Sequence, residues 1–138
     1  MSALSGLGVK RGNKALPTLN LQNLHSGYLP WSNSALDPSV IEMLCNEILV
    51  NKRRRVIEFG TGVSTVYLAS AIRLEGGGGH LVSVESDETW AALTQHLLNS
   101  AGLAGFVTIL VVGMSHSSFA PPGPEWFDEK VLEKELEG

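Results

Sequence analysis

The chain has 138 residues, 43% of them hydrophobic and 17% charged, with a formal net charge of -4 at pH 7. This length predicts one domain with a buried core, and the negative charge gives no overall attraction to nucleic acid. No apolar run approaches the roughly 18 residues that would span a bilayer, and residues 1–14 lack the order of a secretory signal. We therefore predict a cytoplasmic protein without a membrane segment.

The first strong helix signal starts at Asp37, a predicted N-cap, followed by Pro38 at the first helical position. Apolar residues then recur at helical spacing, namely Ile41, Leu44, Cys45 and Ile48. Because Cys45 is the single cysteine, no internal disulfide or multi-thiolate metal site is available, and its apolar neighbours predict a buried thiol. Residues 1–28, with isolated leucines among Pro, Asn and Gly, are predicted to form an irregular N-terminal arm, which leaves residues 29–138 as the domain.

A basic run, residues 52–55, follows this helix. Cations at a helix C-terminus offset the negative end of the helix dipole, and we interpret the run in that way. A patch that binds nucleic acid is the alternative, which the acidic balance of the whole chain disfavours.

Three apolar runs then alternate with two further helices. Val56 to Phe59 is the first predicted strand, and the next helix carries Val63, Tyr67, Ala71 and Leu74 on one face. Four glycines, residues 76–79, end that helix in a loop. His80 to Glu85 is the second predicted strand, and Ser86 and Asp87 are start signals for a further helix.

The last predicted helix has an apolar stripe made of Trp90, Leu93, Leu97, Leu98 and Ala101, and Gly102 closes it. Val107 to Val112 is a third strand that is apolar on both faces, which is typical of a sheet covered on both sides. This alternation of helices and strands predicts an α/β fold with a doubly wound parallel sheet of about three strands, Rossmann-like but partial.

The first strand ends in the turn Gly60-Thr61-Gly62, and the second strand ends in Glu85. Ligands of open parallel sheets bind beyond the carboxyl ends of the strands, where a carboxylate can accept hydrogen bonds from both hydroxyls of a ribose. A dinucleotide site would need a third glycine, but Thr65 stands at that position. Glu58 close to the turn also disfavours an anion and suits a ligand that carries an ammonium or a sulfonium.

The stretch from Glu58 to Ser64, together with the acid Glu85, resembles the first two motifs of class I S-adenosylmethionine-dependent methyltransferases, in the form E-x-G-x-G-x-S. The resemblance covers roughly residues 29–112 and includes the helix before the first strand. It implies a class I methyltransferase-like fold with S-adenosylmethionine as cofactor. The implied contacts of the methionyl part are Glu58 and the backbone around Phe59, Gly60, Thr61 and Gly62, and Ser64 is also implied to bind the cofactor.

The resemblance further implies that Glu85 holds the ribose and that Ser86, Gly113 and Met114 lie near the adenine. Trp31 could close over the site, although a buried position in the core is the first expectation for an aromatic residue. His116, after the third strand, is the one histidine placed to act as a general base. Spacings of metal ligands such as HxxxH or CxxC are absent from the sequence, so no metal is predicted.

The sequence departs from the family after Val112. Members have a seven-stranded sheet in which the first strand is central, whereas only 26 residues follow Val112 here. Those residues predict a proline-rich loop and an acidic helix without a further strand; the apolar side of the helix would carry Trp126, Phe127, Val131, Leu132 and Leu136. The first strand would then be an exposed apolar edge, and we predict self-association, most simply as a dimer.

Three functional interpretations remain open from the sequence. The first is a methyltransferase-like protein that binds S-adenosylmethionine and is complete only as an oligomer or with a partner. The second is an inactive, truncated module that serves binding or interaction, and the third is another Rossmann-like nucleotide binder, such as one that uses a nicotinamide cofactor. The residues that would select a methyl acceptor are not identifiable.

Overall fold

A computed structural model describes residues 20–115 and 126–137 of the chain. The elements in chain order are α1 (Leu21–Leu24), α2 (Pro38–Asn51), β1 (Arg55–Phe59), α3 (Val63–Glu75), β2 (His80–Glu85), α4 (Glu88–Ser100), a short 3-10 helix (Ala104–Phe106), β3 (Val107–Val111), β4 (Met114–Ser115), β5 (Trp126–Phe127) and α5 (Glu129–Glu137).

The three longer strands form one parallel sheet in the order β1-β2-β3. Val56 lies beside Leu81, and Leu81 lies beside Val107. The predicted partial α/β sheet of about three strands is therefore confirmed. Among the described residues, no strand pairs with the outer edge of β1.

The helix before β1 begins and ends as its sequence predicts. Asp37 accepts a hydrogen bond from the backbone N–H of Ser39 at 2.9 Å, and Pro38 is the first helical residue. Beyond its C-terminal end, Arg53 pairs with Glu47 at 2.6 Å and Arg54 pairs with Glu75 at 3.5 Å. Two of the basic residues at positions 52–55 therefore form ion pairs within the chain.

The main core lies between one face of the sheet and the helices α2, α3 and α4. Val56, Leu81 and Val107 point into it from three strands. Helix α3 is buried almost all round, from Val63 to Ile72. In α2, Cys45 is buried and its thiol donates a hydrogen bond to the carbonyl of Tyr67 at 3.5 Å. Burial, and to a lesser extent the charge of Glu42, raises the pKa of Cys45 to about 12, so the thiol stays protonated.

The opposite face of the sheet is covered only in part. Val84 and Val112 pack against Phe127, and Leu132 of α5 joins this smaller cluster. Over β1 the same face is more exposed: Ile57 is 52% exposed and Phe59 is 46% exposed, although the ring centroid of Phe59 lies 5.4 Å from that of Phe127. This face is thus covered around Val84 and Val112 but exposed in the row of Ile57 and Thr108.

Several details of the sequence prediction were wrong. Leu74 is 58% exposed and does not share the buried face of α3. Trp126 and Phe127 belong to strand β5, which pairs antiparallel with β4, and not to the acidic helix. The expectation of no further strand after Val112 failed because strands of two residues leave no alternating pattern to read. The arm also contains the short helix α1, whose Leu21 is buried in the main core.

Within the described residues, no helix combines the length and the apolar character that crossing a membrane requires.

Candidate functional site

The turn after β1 contains two glycines with positive φ, Gly60 at +95° and Gly62 at +154°. The backbone N–H of Gly60 donates to the carbonyl of Val84 at 2.6 Å. A Cβ at Gly62 would lie 3.2 Å from Nε1 of Trp90, so a side chain there would be crowded and would push the indole aside. A Cβ at Gly60 would meet nothing within 4 Å, because Gly60 faces open space.

This open space is a cavity of about 610 Å³, within the range of small-molecule sites. Seven residues named from the sequence line it, namely Glu58, Phe59, Gly60, Thr61, Gly62, Ser64 and Glu85. The carboxyl ends of β1 and β2 therefore bring both predicted acids and the glycine turn to one place. Their contact with a ligand stays a prediction.

Other predicted residues lie outside this lining. Ser86 follows β2, and its backbone N–H donates to Glu85. Met114 pairs with Phe127 in the small β4–β5 ribbon, and Gly113 accepts a backbone hydrogen bond from Asp128. None of Ser86, Gly113 and Met114 lines the cavity. His116, the candidate base, lies outside the described residues.

Trp31 does not lie in the core and does not line the cavity. Its side chain is partly exposed and its ring centroid lies 6.0 Å from that of Tyr67. Its chain neighbours Pro30 and Ser32 line the cavity instead. The segment before α2 therefore borders the site, but not through its tryptophan.

Glu85 is buried and its carboxylate accepts four hydrogen bonds. Oε1 accepts from the backbone N–H of Thr61 at 2.9 Å and from its hydroxyl at 3.0 Å. Oε2 accepts from the backbone N–H groups of Ser86 at 3.0 Å and Asp87 at 3.1 Å. The side chain thus ties the end of β2 directly to the glycine turn.

Glu58 is held by hydroxyl groups. Ser64 donates to its Oε2 at 2.8 Å, while Ser83 donates to Oε1 at 2.8 Å and Thr65 donates to the same oxygen. Burial raises the pKa of Glu58, and the nearby charge of Glu85 raises it further. The three hydroxyl contacts lower the pKa but do not cancel the effect of burial.

Trp90 and Asp87 were missed by the sequence analysis as parts of the site. The indole Nε1–H of Trp90 donates to the carbonyl of Thr61 at 2.5 Å, and Asp87 caps α4 by accepting from the N–H of Trp90 at 2.9 Å. The signal was present, because an N-cap directly after a strand places the first turn of its helix at the same sheet edge. The segment before α2 gave no comparable signal; it adds Pro30, Ser32, Ser34, Ala35 and Leu36 to the lining.

The described lining of the cavity is acidic. It includes Glu58, Glu85 and Asp87 but no lysine, arginine or histidine. Such a lining opposes a phosphate or pyrophosphate group and attracts a cation. Among residues 20–115 and 126–137, no group of three or more His, Cys, Asp or Glu side chains could hold a metal ion.

No family model and no curated protein sequence matches the chain, whereas solved structures do. The cofactor-bound protein Rv0187 from MTB is 30% identical, with a TM-score of 0.51, over 67% of this chain and 41% of that chain. The O-methyltransferase TomG from Streptomyces achromogenes, in complex with SAM, is 29% identical with a TM-score of 0.51, over 56% and 34%. An O-methyltransferase from Bacillus cereus, in complex with SAH, is 26% identical with a TM-score of 0.52, over 66% and 40%.

Together with the parallel sheet, these likenesses show a partial Rossmann-like fold of the class I methyltransferase type, as predicted. The chain spans about two fifths or less of the length of these solved proteins.

Gly62→Ala tests the conformation of the turn. The new Cβ would meet Trp90 and the backbone would keep an unfavourable φ, so we expect the free energy of unfolding to fall by about 1–3 kcal/mol in urea denaturation. Gly105→Ala is the control, because its Cβ would meet nothing within 4 Å and its φ is not positive. That control should stay within about 0.5 kcal/mol of wild type; equal losses in the two variants would contradict the geometry of the turn.

Glu58→Gln tests the raised pKa of Glu58. A carboxyl whose folded pKa exceeds its ordinary value of 4.5 contributes most to stability below pH 4.5. The contribution is lost as the pH rises through the folded pKa, because the folded state then binds more protons than the unfolded state. The free energy of unfolding of wild type minus that of Glu58→Gln should therefore fall as the pH rises above 4.5.

Urea denaturation at a series of pH values measures this difference, and the exposed Glu88→Gln supplies the baseline for loss of one acidic side chain. A difference between wild type and Glu58→Gln that grows with pH would show that the folded pKa is lowered instead.

Proposed function

We propose that the chain binds S-adenosylmethionine in the cavity at the glycine turn, as a methyltransferase-like protein. The observation that carries the proposal is the acidic, cation-free lining around an open glycine turn. SAM and SAH are the ligands named for two of the similar solved proteins. The likeness in fold supports the same ligand class here.

The residues present fit such a ligand. An ammonium or sulfonium group would favour the ionised form of Glu58 and pair with its carboxylate, and the space beside Gly60 admits a ligand close to the backbone. Glu85 has the oxygens to accept hydrogen bonds from ribose hydroxyls. The cofactor, when bound, supplies an activated methyl group on its sulfonium.

The proposed adenine contacts remain Ser86, Gly113 and Met114. They follow β2 and β3, at the same sheet edge as the turn, although outside the described lining. Asp87 and Trp90 line the cavity between α4 and the turn and are proposed as additional neighbours of the nucleoside.

Methyl transfer itself would require an aligned acceptor and, for some acceptors, a general base. Because no strand among the described residues pairs with the outer edge of β1, we propose that a complete enzyme site forms only in an oligomer or with a partner. The second candidate is an inactive binding or interaction module. A nicotinamide dinucleotide is disfavoured, because its pyrophosphate would face the acidic lining.

Isothermal titration with S-adenosylmethionine and S-adenosylhomocysteine tests the proposed binding. We expect saturable heat with wild type and a loss of affinity of at least about tenfold in Glu85→Gln, because hydrogen bonds to charged groups contribute about 1.5–3 kcal/mol. Glu88→Gln is the matched control, since Glu88 is exposed and lies outside the cavity lining. Thermal denaturation of each variant verifies that it is folded.

Absence of heat with wild type and both ligands would leave the inactive module as the better interpretation. Binding of NAD in competition with S-adenosylhomocysteine would contradict the preference for a cationic ligand.

We further propose that the chain self-associates through the open side of β1, most simply as a dimer. The carbonyl of Arg54 and the N–H of Gly60 face β2, so strand alternation directs the backbone groups of Ile57 away from the sheet. A second, mostly apolar cavity of about 250 Å³ lies between this edge and α2. Leu36, which lines this cavity, is exposed, and Val40, Met43 and Val50 are exposed at helical spacing along α2.

A surface of this kind is typical of an interaction site and not of a monomer. A second copy accounts for it without another protein species, and two-fold association is the simplest closed arrangement.

Light scattering after size exclusion tests the self-association. We expect twice the chain mass of 14.8 kDa for wild type and the monomer mass for Ile57→Lys, because a lysine on an open strand edge opposes pairing. Thr108→Lys is the control, since Thr108 is exposed and lies in the same row of the sheet at the β3 edge. A monomeric wild type, or a dimer that persists in Ile57→Lys, would contradict the proposal.

A further inference from the structure

The carboxylate of Glu85 has no acceptor site left over in this structure. An ionised carboxylate has about four lone-pair sites. All four are engaged, by the N–H and hydroxyl of Thr61 and by the N–H groups of Ser86 and Asp87. If a ribose binds at Glu85, as proposed above, a group of the protein must leave.

Three of the four donors are backbone groups that the fold holds in place. Three further hydrogen bonds fix the turn. The N–H of Gly60 donates to the carbonyl of Val84, and the N–H of Gly62 donates to the hydroxyl of Thr65. The carbonyl of Thr61 accepts from the indole of Trp90. These contacts leave the N–H of Thr61 little freedom to turn away. The other two N–H groups belong to the start of α4, where Asp87 is the N-cap.

The fourth donor is the side-chain hydroxyl of Thr61, which can move without any change of the backbone. A hydroxyl proton rotates about its C–O bond, and the side chain has other staggered rotamers. A second partner is near, because Oγ1 of Thr94 lies 3.4 Å from Oγ1 of Thr61. Thr94 is fully buried and also donates to the carbonyl of Trp90 at 3.0 Å.

We infer that the hydroxyl of Thr61 occupies the acceptor site on Glu85 that a ribose hydroxyl takes, so that Thr61 sets the affinity for the nucleoside. The protein's own hydroxyl competes with the sugar, while the backbone N–H of Thr61 keeps its contact with Glu85. Thr61 is thus an affinity-determining residue of the proposed cofactor site.

Thr61→Val tests the inference, because valine has nearly the same shape but no hydroxyl. We expect S-adenosylhomocysteine to bind roughly threefold to tenfold more tightly in calorimetry, since one hydrogen bond no longer has to be broken. Without ligand, the variant should be less stable than wild type to thermal denaturation, because Glu85 loses a donor. Thr61→Ser is the control that keeps the hydroxyl, and its affinity should match wild type.

A 2′,3′-dideoxy analogue of S-adenosylhomocysteine distinguishes the sugar from the rest of the ligand. The gain in Thr61→Val should be absent for this analogue, because it has no hydroxyl to place on Glu85. If Thr61→Val does not fold, Thr61→Ala removes the same hydroxyl with a smaller side chain and the same expectation.

Unchanged or weaker binding of S-adenosylhomocysteine by the variant without the hydroxyl would overturn the inference, and so would an equal gain for the dideoxy analogue. Either result leaves the proposed function standing, provided that wild type binds the ligand. A wild type that binds neither adenosyl ligand overturns the proposed function and this inference together, which separates the two failures.

Discussion

The hydrogen bonds between the Glu85 carboxylate and Thr61 are the contacts on which the site depends. They join the end of β2 to the turn after β1, 24 positions apart in the chain. A buried backbone N–H without a partner costs about 1–3 kcal/mol, so the acid stabilises a turn whose positive φ angles at Gly60 and Gly62 glycine adopts readily. The turn also packs against α4, through Trp90 and Thr94, and its side that carries Gly60 faces the cavity.

Glu58 and Glu85, two of the three acids that line the cavity, are stabilised in different ways. Glu85 accepts mainly from backbone N–H groups, which are fixed dipoles aimed at a negative charge. Glu58 accepts only from side-chain hydroxyls, and burial raises the pKa of its carboxyl. A hydroxyl can reorient and can serve a protonated or an ionised acid equally. An incoming cation would therefore favour the ionised form of Glu58, whereas the contacts of Glu85 hold the glycine turn even without a ligand.

The sequence predicted the parts of this structure that depend on local chemistry. Strand β2 has the predicted bounds, and α2 starts at the predicted Asp37 cap, because alternation and capping are properties of neighbouring residues. The sequence placed Glu85 beside the glycine turn because the last residue of a parallel strand lies at the carboxyl edge of the sheet. Trp90 was assigned to an apolar stripe, and its contact with the carbonyl of Thr61 arises only when α4 packs beside the turn. Leu74 was wrongly assigned to the buried face of α3, because helical spacing does not show how far along the helix the packing against its neighbours extends.

The open side of β1 and the cavity at the glycine turn are not independent, because Glu58 lines both that large cavity and the smaller cavity beside α2. Any group that covers the β1 edge removes water from the smaller cavity. Further desolvation penalises the ionised form of Glu58, whereas a cation in the large cavity favours that form. Since a coupling between two sites acts equally in both directions, a bound cation would ease the burial of Glu58 that covering this edge imposes. The Glu58 carboxylate is thus the group through which covering the β1 edge would affect the cavity at the glycine turn.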